Sequence, residues 1–269
     1  MANASILMQQ EYSDPLVSII TVVRNGMPFI AKTIESVLSQ TYPEIEYIVI
    51  DGGSTDGTLD CIRRHEAAIG QWISEPDQGI ADAFNKGLRR SSGAYRMFLN
   101  ADDWLADPDA VARLISAARD RNWPQVIYGD CDLYDRDGGR VLSRTCIRYS
   151  RSEFLRGVTL PHPGLLTHSD YFTRYGEFDT SFRIAMDFEF FVRGVPDSGA
   201  HRASVLVTNV RTGGASTRDR GLVIEEIVRA LRKNGRLSKL AEIRLRAYYS
   251  ARRAARVAPV LFGLSRNRV

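Results

Sequence analysis

The chain of 269 residues reads as an α/β protein. A mostly parallel sheet flanked by helices is expected first, then a mixed α/β second half and a helical tail. Three observations carry that reading. Apolar β-branched runs alternate with stretches of helical periodicity between residues 16 and 118, the rhythm of parallel βα units. The first run, LVSIITVV at residues 16–23, is continuous rather than alternating, as a strand covered on both faces must be. Polar, acid-rich loops follow the runs abruptly, and in an open α/β sheet the carboxyl ends of the strands are where a ligand crevice forms.

Pro15 opens the first strand. After a turn at Asn25 and Gly26, Pro28 suits the first turn of a helix, and Phe29, Ile30, Ile34, Val37 and Leu38 recur at helical spacing. Tyr42 and Pro43 end that helix. Residues 45–50 form a second strand, and DGGSTDGT at residues 51–58 is a glycine-rich loop that leads into another helix. Trp72 and Ile73 mark a brief third strand, residues 79–90 a helix, residues 95–99 a fourth strand, and residues 111–118 the apolar face of a helix closed near Pro124. After residues 126–128 the rhythm changes: DRDGGR lies between flanks that pair as a hairpin over residues 133–142. Residues 152–156 form a short helix, PHPG at residues 161–164 a rigid loop, residues 187–193 a helix opening on an acid, and residues 204–210 a last strand. Beyond a polar break at residues 211–220, residues 222–257 are helix-forming sequence interrupted at Asn234 and Gly235.

A hydrophobic share of 44% and a charged share of 25% are those of an ordinary globular chain. Residues 1–14 are expected to be disordered, residues 15–220 to form one domain, and residues 221–269 a basic helical tail. No apolar run approaches the roughly 20 residues needed to cross a bilayer, and residues 1–14 lack the pattern of a signal peptide. A cytoplasmic location is therefore expected. The three cysteines, Cys61, Cys131 and Cys146, show no metal-binding spacing and read as reduced thiols.

The chemistry concentrates in SEPDQGIADAFNKGLRRSSGAYRMFLNADDWL at residues 74–105, which gathers carboxylates, an amide and a lysine around one helix and one strand. Asn100, Asp102 and Asp103 end an apolar strand and stand before Trp104 and Leu105, so these acids are held near the core. Adjacent carboxylates repel unless neutralised, and at a strand end they suit a hard cation such as Mg²⁺ or Mn²⁺, which can grip a diphosphate. In residues 51–58, the glycines would let a backbone approach a ligand while Asp51 accepts from a base or sugar group. The same loop reads equally as a βα turn with Ser54 or Asp56 capping the next helix. It is neither a GxGxxG fingerprint nor a Walker loop. Asp187, taken alone, reads first as a helix cap. His162, between two prolines, is a pinned acceptor-loop residue or simply a loop histidine.

VSIITVVRN, YIVIDGGSTDGT, SEPDQGIADAFNKGL, GAYRMFLNADD and GEFDTSFRIAMDFEFFVR stand in the order and spacing of the family-2 glycosyltransferases. The chain resembles that family over residues 16–193, and within it the enzymes that build bacterial exopolysaccharide and O-antigen units. The resemblance implies a GT-A fold, with residues 15–105 as the nucleotide-sugar half and residues 106–220 as the acceptor half. It implies a hexosyltransferase-type reaction with inversion, from a nucleoside-diphosphate sugar to a hydroxyl of a glycan or lipid-linked acceptor. Thr21, Asn25, Asp51, Ser54, Asp77, Lys86 and Asn100 would then serve the nucleotide sugar, Asp102 and Asp103 the ribose, metal and diphosphate, and Asp187 would be the catalytic base. One departure is that the family's acidic motif often opens with aspartate where this chain has Asn100. Two other functions fit parts of the pattern. A sugar nucleotidyltransferase needs a basic glycine-rich loop after the first strand, where VVRNGMPF is poor in both; a silent nucleotide-sugar binding protein would lack the base.

The net charge of +4 is unevenly spread: from Arg229 to the end, basic residues are opposed only by Glu242. Ile224, Ile227, Val228 and Leu231 recur at helical spacing and are expected to face the core. From residue 237, Leu240, Ile243, Leu245, Tyr248 and Tyr249 lie among arginines and precede VAPVLFGL at residues 257–264. Basic residues beside aliphatic and aromatic ones suit an anionic lipid surface better than nucleic acid. Residues 237–269 are accordingly expected to hold the protein peripherally on the inner face of the plasma membrane, with no nucleic-acid partner.

Overall fold

The computed structural model describes residues 14–214 and 219–254. The expected disorder of the amino terminus and the apolar segment at residues 257–264 lie outside the described residues, apart from Asp14.

The first half follows the expected alternation: β1 Val17–Val23, α1 Ile30–Leu38, β2 Ile45–Asp51, α2 Thr58–Arg64, β3 Gln71–Ser74, α3 Ile80–Arg90 and β4 Tyr95–Asn100. These strands are parallel in the order β3-β2-β1-β4. Every residue of β1 is buried, because its side chains feed two cores in turn. Val17, Ile19 and Val23 pack with Ile30, Ile34 and Val37 of α1, whereas Ile20 and Val22 face the layer that holds Phe84 of α3. Gly87 lets α3 come that close: a Cβ there would lie 2.3 Å from Ile20 Cγ2. A mid-helix glycine costs about 1 kcal/mol in propensity, and closer packing of helix on sheet offsets it.

The second half comprises β5 Trp104–Leu105, α4 Ala110–Arg119, β6 Val126–Tyr134, β7 Val141–Thr145, α5 Arg151–Phe154, a 3₁₀ turn His162–Gly164, β8 Leu165–His168, α6 Ser169–Tyr175, α7 Met186–Val192, α8 Val195–Ser198, β9 His201–Arg211, α9 Arg220–Lys233 and α10 Lys239–Ala254. One nine-stranded sheet continues through both halves, in the order β3-β2-β1-β4-β8-β6-β9-β5 with β7 paired to β6. β8 is antiparallel to both β4 and β6, β9 runs parallel to β6, and β5 pairs antiparallel with β9.

Several boundaries differ from the sequence reading. The hairpin forms, but its first strand is the long β6, which carries Asp130 and Asp132 where an apolar pattern would be expected. Each acid is neutralised by two hydrogen bonds from a cross-strand arginine, Asp130 from Arg202 and Asp132 from Arg144. β9 starts at His201 rather than residue 204. β5, β8, α6 and α8 are additional elements, too short for periodicity to reveal.

Candidate active site

Strand register builds the site. Asp51 is opposite both Val23 and Ser74, and Asn100 is opposite Val22, so the loops after β1, β2, β3 and β4 emerge at one edge. The first two are knitted together. Asn25, with φ of +53°, accepts from the Thr55 amide, and its own amide donates to Ser54 Oγ at 2.7 Å. Asp56 accepts from the amides of Met27 and Thr58, and Thr58 Oγ1 accepts from the Gly26 amide. Asp51 is fully buried, and its carboxylate accepts from the amides of Gly53 and Ser54 and the hydroxyls of Ser54 and Ser74. It organises the loop, and Ser54 links it to Asn25.

A cleft of about 950 Å³ opens beside these loops, within the usual range for a ligand site. Of the residues expected at the nucleotide sugar, Asn25, Asp77 and Asn100 line it. Asp77 lies against the backbone of Gly52, where a Cβ would come within 2.0 Å of Asp77 Oδ2. Thr21, Asp51, Ser54 and Lys86 do not line the cleft. Thr21 faces the α1 layer because odd-numbered residues of β1 point that way, and its hydroxyl accepts from Tyr47 at 3.2 Å. The Lys86 ammonium is held behind the loop by Pro76 O at 2.8 Å, Glu75 at 3.0 Å and Asp82 at 3.5 Å. It braces the segment that carries Asp77.

Asn100, Asp102 and Asp103 all line the cleft. Asp103 is buried; its carboxylate accepts from Asn100 Nδ2 at 3.0 Å and from the Arg211 amide at 3.1 Å. Burial, with the neighbouring Asp102 charge adding to it, pushes the Asp103 carboxyl far above the usual carboxylate range. Asp102 Oδ2 takes the Arg211 guanidinium at 2.7 Å. Asn100 Oδ1 is buried without a hydrogen-bond partner, although such an oxygen normally has one. Two carboxylates and an orphaned amide oxygen are the hard oxygen donors that Mg²⁺ or Mn²⁺ takes, with the remaining positions left to water or phosphate. Asparagine at this position is therefore compatible with a metal.

Asp187, in the first turn of α7, lines the same cleft. Its Oδ1 accepts from the adjacent Phe188 amide at 2.7 Å, while the N-cap residue is Ala185. Burial raises the Asp187 carboxyl above its ordinary value, with His162 opposing. His162 also lines the cleft, stacked on Phe98 at 5.7 Å between ring centres. Burial lowers its pKa and Asp187 partly opposes that, so the imidazole is neutral near pH 7. Among the described residues the arrangement is thus an oxygen-donor cluster and a raised carboxyl facing one cavity.

The family model for glycosyl transferase family 2 matches residues 18–176. The chain belongs to that family. A 36% identical relative, over 183 residues covering 67% of this chain and 69% of its own length, is an uncharacterized glycosyltransferase of Mycobacterium tuberculosis. A PGL/p-HBAD biosynthesis glycosyltransferase of Mycobacterium bovis is 28% identical over 185 residues, covering 66% of this chain and 69% of its own. Among solved structures, S. aureus TarS 1-349 in complex with UDP-GlcNAc superposes with a TM-score of 0.65 at 16% identity, covering 89% of this chain and 73% of its own. The mannosyltransferase PcManGT of Pyrobaculum calidifontis, in complex with GDP-Man and Mn²⁺, gives 0.63 at 19% identity, covering 93% and 78%. The fold is the GT-A fold of these glycosyltransferases.

Three residues of this family-2 glycosyltransferase escape sequence reasoning. Arg211 reaches Asp102 across 109 positions, because β5 lies against β9. Asn85 bonds both the amide and the carbonyl of Phe178 through its side chain, fastening α3 to the loop after α6. Glu226 sits buried on α9 among apolar residues. Only the oddity of a carboxylate or amide within an apolar helical stripe could have flagged the last two.

Proposed function

We propose that this glycosyltransferase moves a hexose from a nucleoside-diphosphate sugar to a hydroxyl of a glycan or lipid-linked acceptor, with inversion and in one displacement. The observation that supports the proposal is that Asp187 and the Asn100–Asp103 cluster line one and the same cleft. The UDP-GlcNAc complex of TarS and the GDP-Man and Mn²⁺ complex of PcManGT support such a donor and metal.

Asn25 and Asp77 stand at the donor end, on loops set by Asp51, Ser54 and Lys86. Asp102, Asp103 and Asn100 Oδ1 would hold Mn²⁺ or Mg²⁺, which when bound offsets negative charge growing on the departing diphosphate. Asp187 accepts the proton of the acceptor hydroxyl as that oxygen attacks the anomeric carbon from the face opposite the leaving group. A raised carboxyl suits a base that must hold the proton in the transition state. His162 is pinned by Phe98, and the burial that lowers its pKa disfavours an ion pair with Asp187. No covalent intermediate is needed.

Asp187→Asn tests the division of roles: kcat is expected to fall about 10²-fold or more, with nucleotide affinity unchanged. A folded Asp187→Asn protein that no longer binds nucleotide would remove Asp187 from the acceptor side. We further propose a peripheral position on the inner membrane face, supported by the outer side of α10. Leu240 and Ile243 are 59% and 66% exposed there beside the exposed Arg244, and selective binding to anionic vesicles is the signature of that position.

A further inference from the structure

The backbone that leads into α7 is held by a side chain from another helix. Glu226, 4% exposed on α9, accepts three backbone hydrogen bonds: from Arg183 at 2.8 Å, Ile184 at 2.9 Å and Ala185 at 2.8 Å. The amides at a helix start have no partners within the helix, and the usual solution is a nearby Ser, Thr, Asp or Asn side chain. Here Ala185 is the N-cap and supplies none. A carboxylate some 41 positions away supplies the acceptor to its amide instead.

The arrangement has a chemical consequence. Without Glu226, the Asp187 carboxylate, two positions on from Ala185, would be free to turn back toward these amides and cap its own helix. With Glu226 in place, the Asp187 carboxylate takes its own amide and that of Phe188 and lines the cleft. The same stretch of α9 lends Val223 and Ile227 to the cleft wall, and Lys233 joins α9 to Glu189 of α7 at 3.0 Å. Two helices tied in this way form one wall of the cleft.

We infer that Glu226 is a positioning residue for sugar transfer, capping residues 183–185 from α9 so that the Asp187 carboxylate stays directed at the acceptor. The inference rests on the reading of Asp187 as the base. The charged and titratable groups around Asp187 are His162 on the 3₁₀ turn, Glu226 on α9, and Arg183 and Arg220, which line the same cleft. Glu226 is among the charges that raise the Asp187 carboxyl. Removing that negative charge favours the ionised base, so the acid limb of activity moves to lower pH.

The experiment uses the full chain with Glu226→Gln and Glu226→Asp, read by hydrogen exchange and by nucleoside diphosphate release from the donor to water. In Glu226→Gln the amides of residues 183–185 are expected to exchange about tenfold faster or more. Release is expected to slow about tenfold with nucleotide Kd unchanged and the acid limb displaced to lower pH. Glu226→Asp, which keeps the charge, should restore most of the protection. Wild-type exchange in Glu226→Gln, or a loss of thermal stability and nucleotide binding in proportion to rate in both variants, would overturn the inference. Exchange is read without turnover: a fully active Asp187→Asn protein beside a loosened Glu226→Gln protein would sink the base and leave the clamp.

Discussion

Gly52 shows how a single atom's absence shapes the cleft. It precedes the left-handed Gly53, and a Cβ added to it would lie 2.0 Å from Asp77 Oδ2 and 3.0 Å from Asp77 Cγ, with Arg24 Cβ next at 3.5 Å. The obstacle is the end of one side chain, fixed by the Gly79 amide at 2.9 Å, so Gly52→Ala is expected to turn Asp77 away at the cost of that one hydrogen bond and to lower the melting temperature only slightly. Nucleotide affinity should fall about tenfold, the worth of one charge-assisted hydrogen bond, by titration calorimetry. Unchanged affinity would take Asp77 out of the donor contacts. The same residue-level logic explains Asp51 and Lys86. Their types were legible in the sequence as polar groups at a strand end and on a helix, but their employment was not. A buried carboxylate draws in every nearby donor, and Asp51 found four of them in its own loop and in Ser74.

Helix α10 divides its apolar residues between two faces. Leu245 and Tyr249 are buried, with Tyr249 Oη donating to Arg156 O at 2.7 Å, and Glu242 is bracketed by Arg232 and Arg246. Leu240 and Ile243 lie on the opposite side, exposed next to Arg244. The sequence pattern makes residues from 237 onward one basic apolar stretch; among the described residues, packing uses Leu245 and Tyr249 inside the molecule. A double Leu240→Ser, Ile243→Ser protein is therefore expected to keep its fold and to lose most of its sedimentation with anionic vesicles. Aliphatic burial of this size is worth about 1.5–3 kcal/mol per side chain, and each nearby charge adds roughly 1 kcal/mol. Equal binding to neutral and anionic vesicles, or binding indifferent to the double substitution, would refute the membrane reading.

At the scale of the whole molecule, the cleft lies between a parallel half that supplies Asn25, Asp77 and Asn100–Asp103 and a mixed half that supplies Asp187 and Arg211. A donor bridging them stabilises the native state by mass action, about 2.7 kcal/mol at a hundredfold excess over Kd. Melting curves with a nucleoside-diphosphate sugar should accordingly rise further when Mn²⁺ is added, and EDTA should remove the increment. Asn100→Ala with Asp103→Ala should abolish it, and an increment that survives this pair would place the cation elsewhere. The alternation of apolar runs and acidic loops, read along the chain, determined the parallel half and the position of its acids, because strand formation and loop polarity are short-range matters of side-chain burial. The same reading singled out Asp187 as a candidate base only through likeness to a family, since an acid at a helix start has a sufficient local explanation. Tertiary structure alone decided that Arg211 meets Asp102 and that Glu226 caps residues 183–185. Those contacts follow from the pairing of β5 with β9 and the docking of α9 beside α7, long-range packing outcomes that no local pattern of residues encodes.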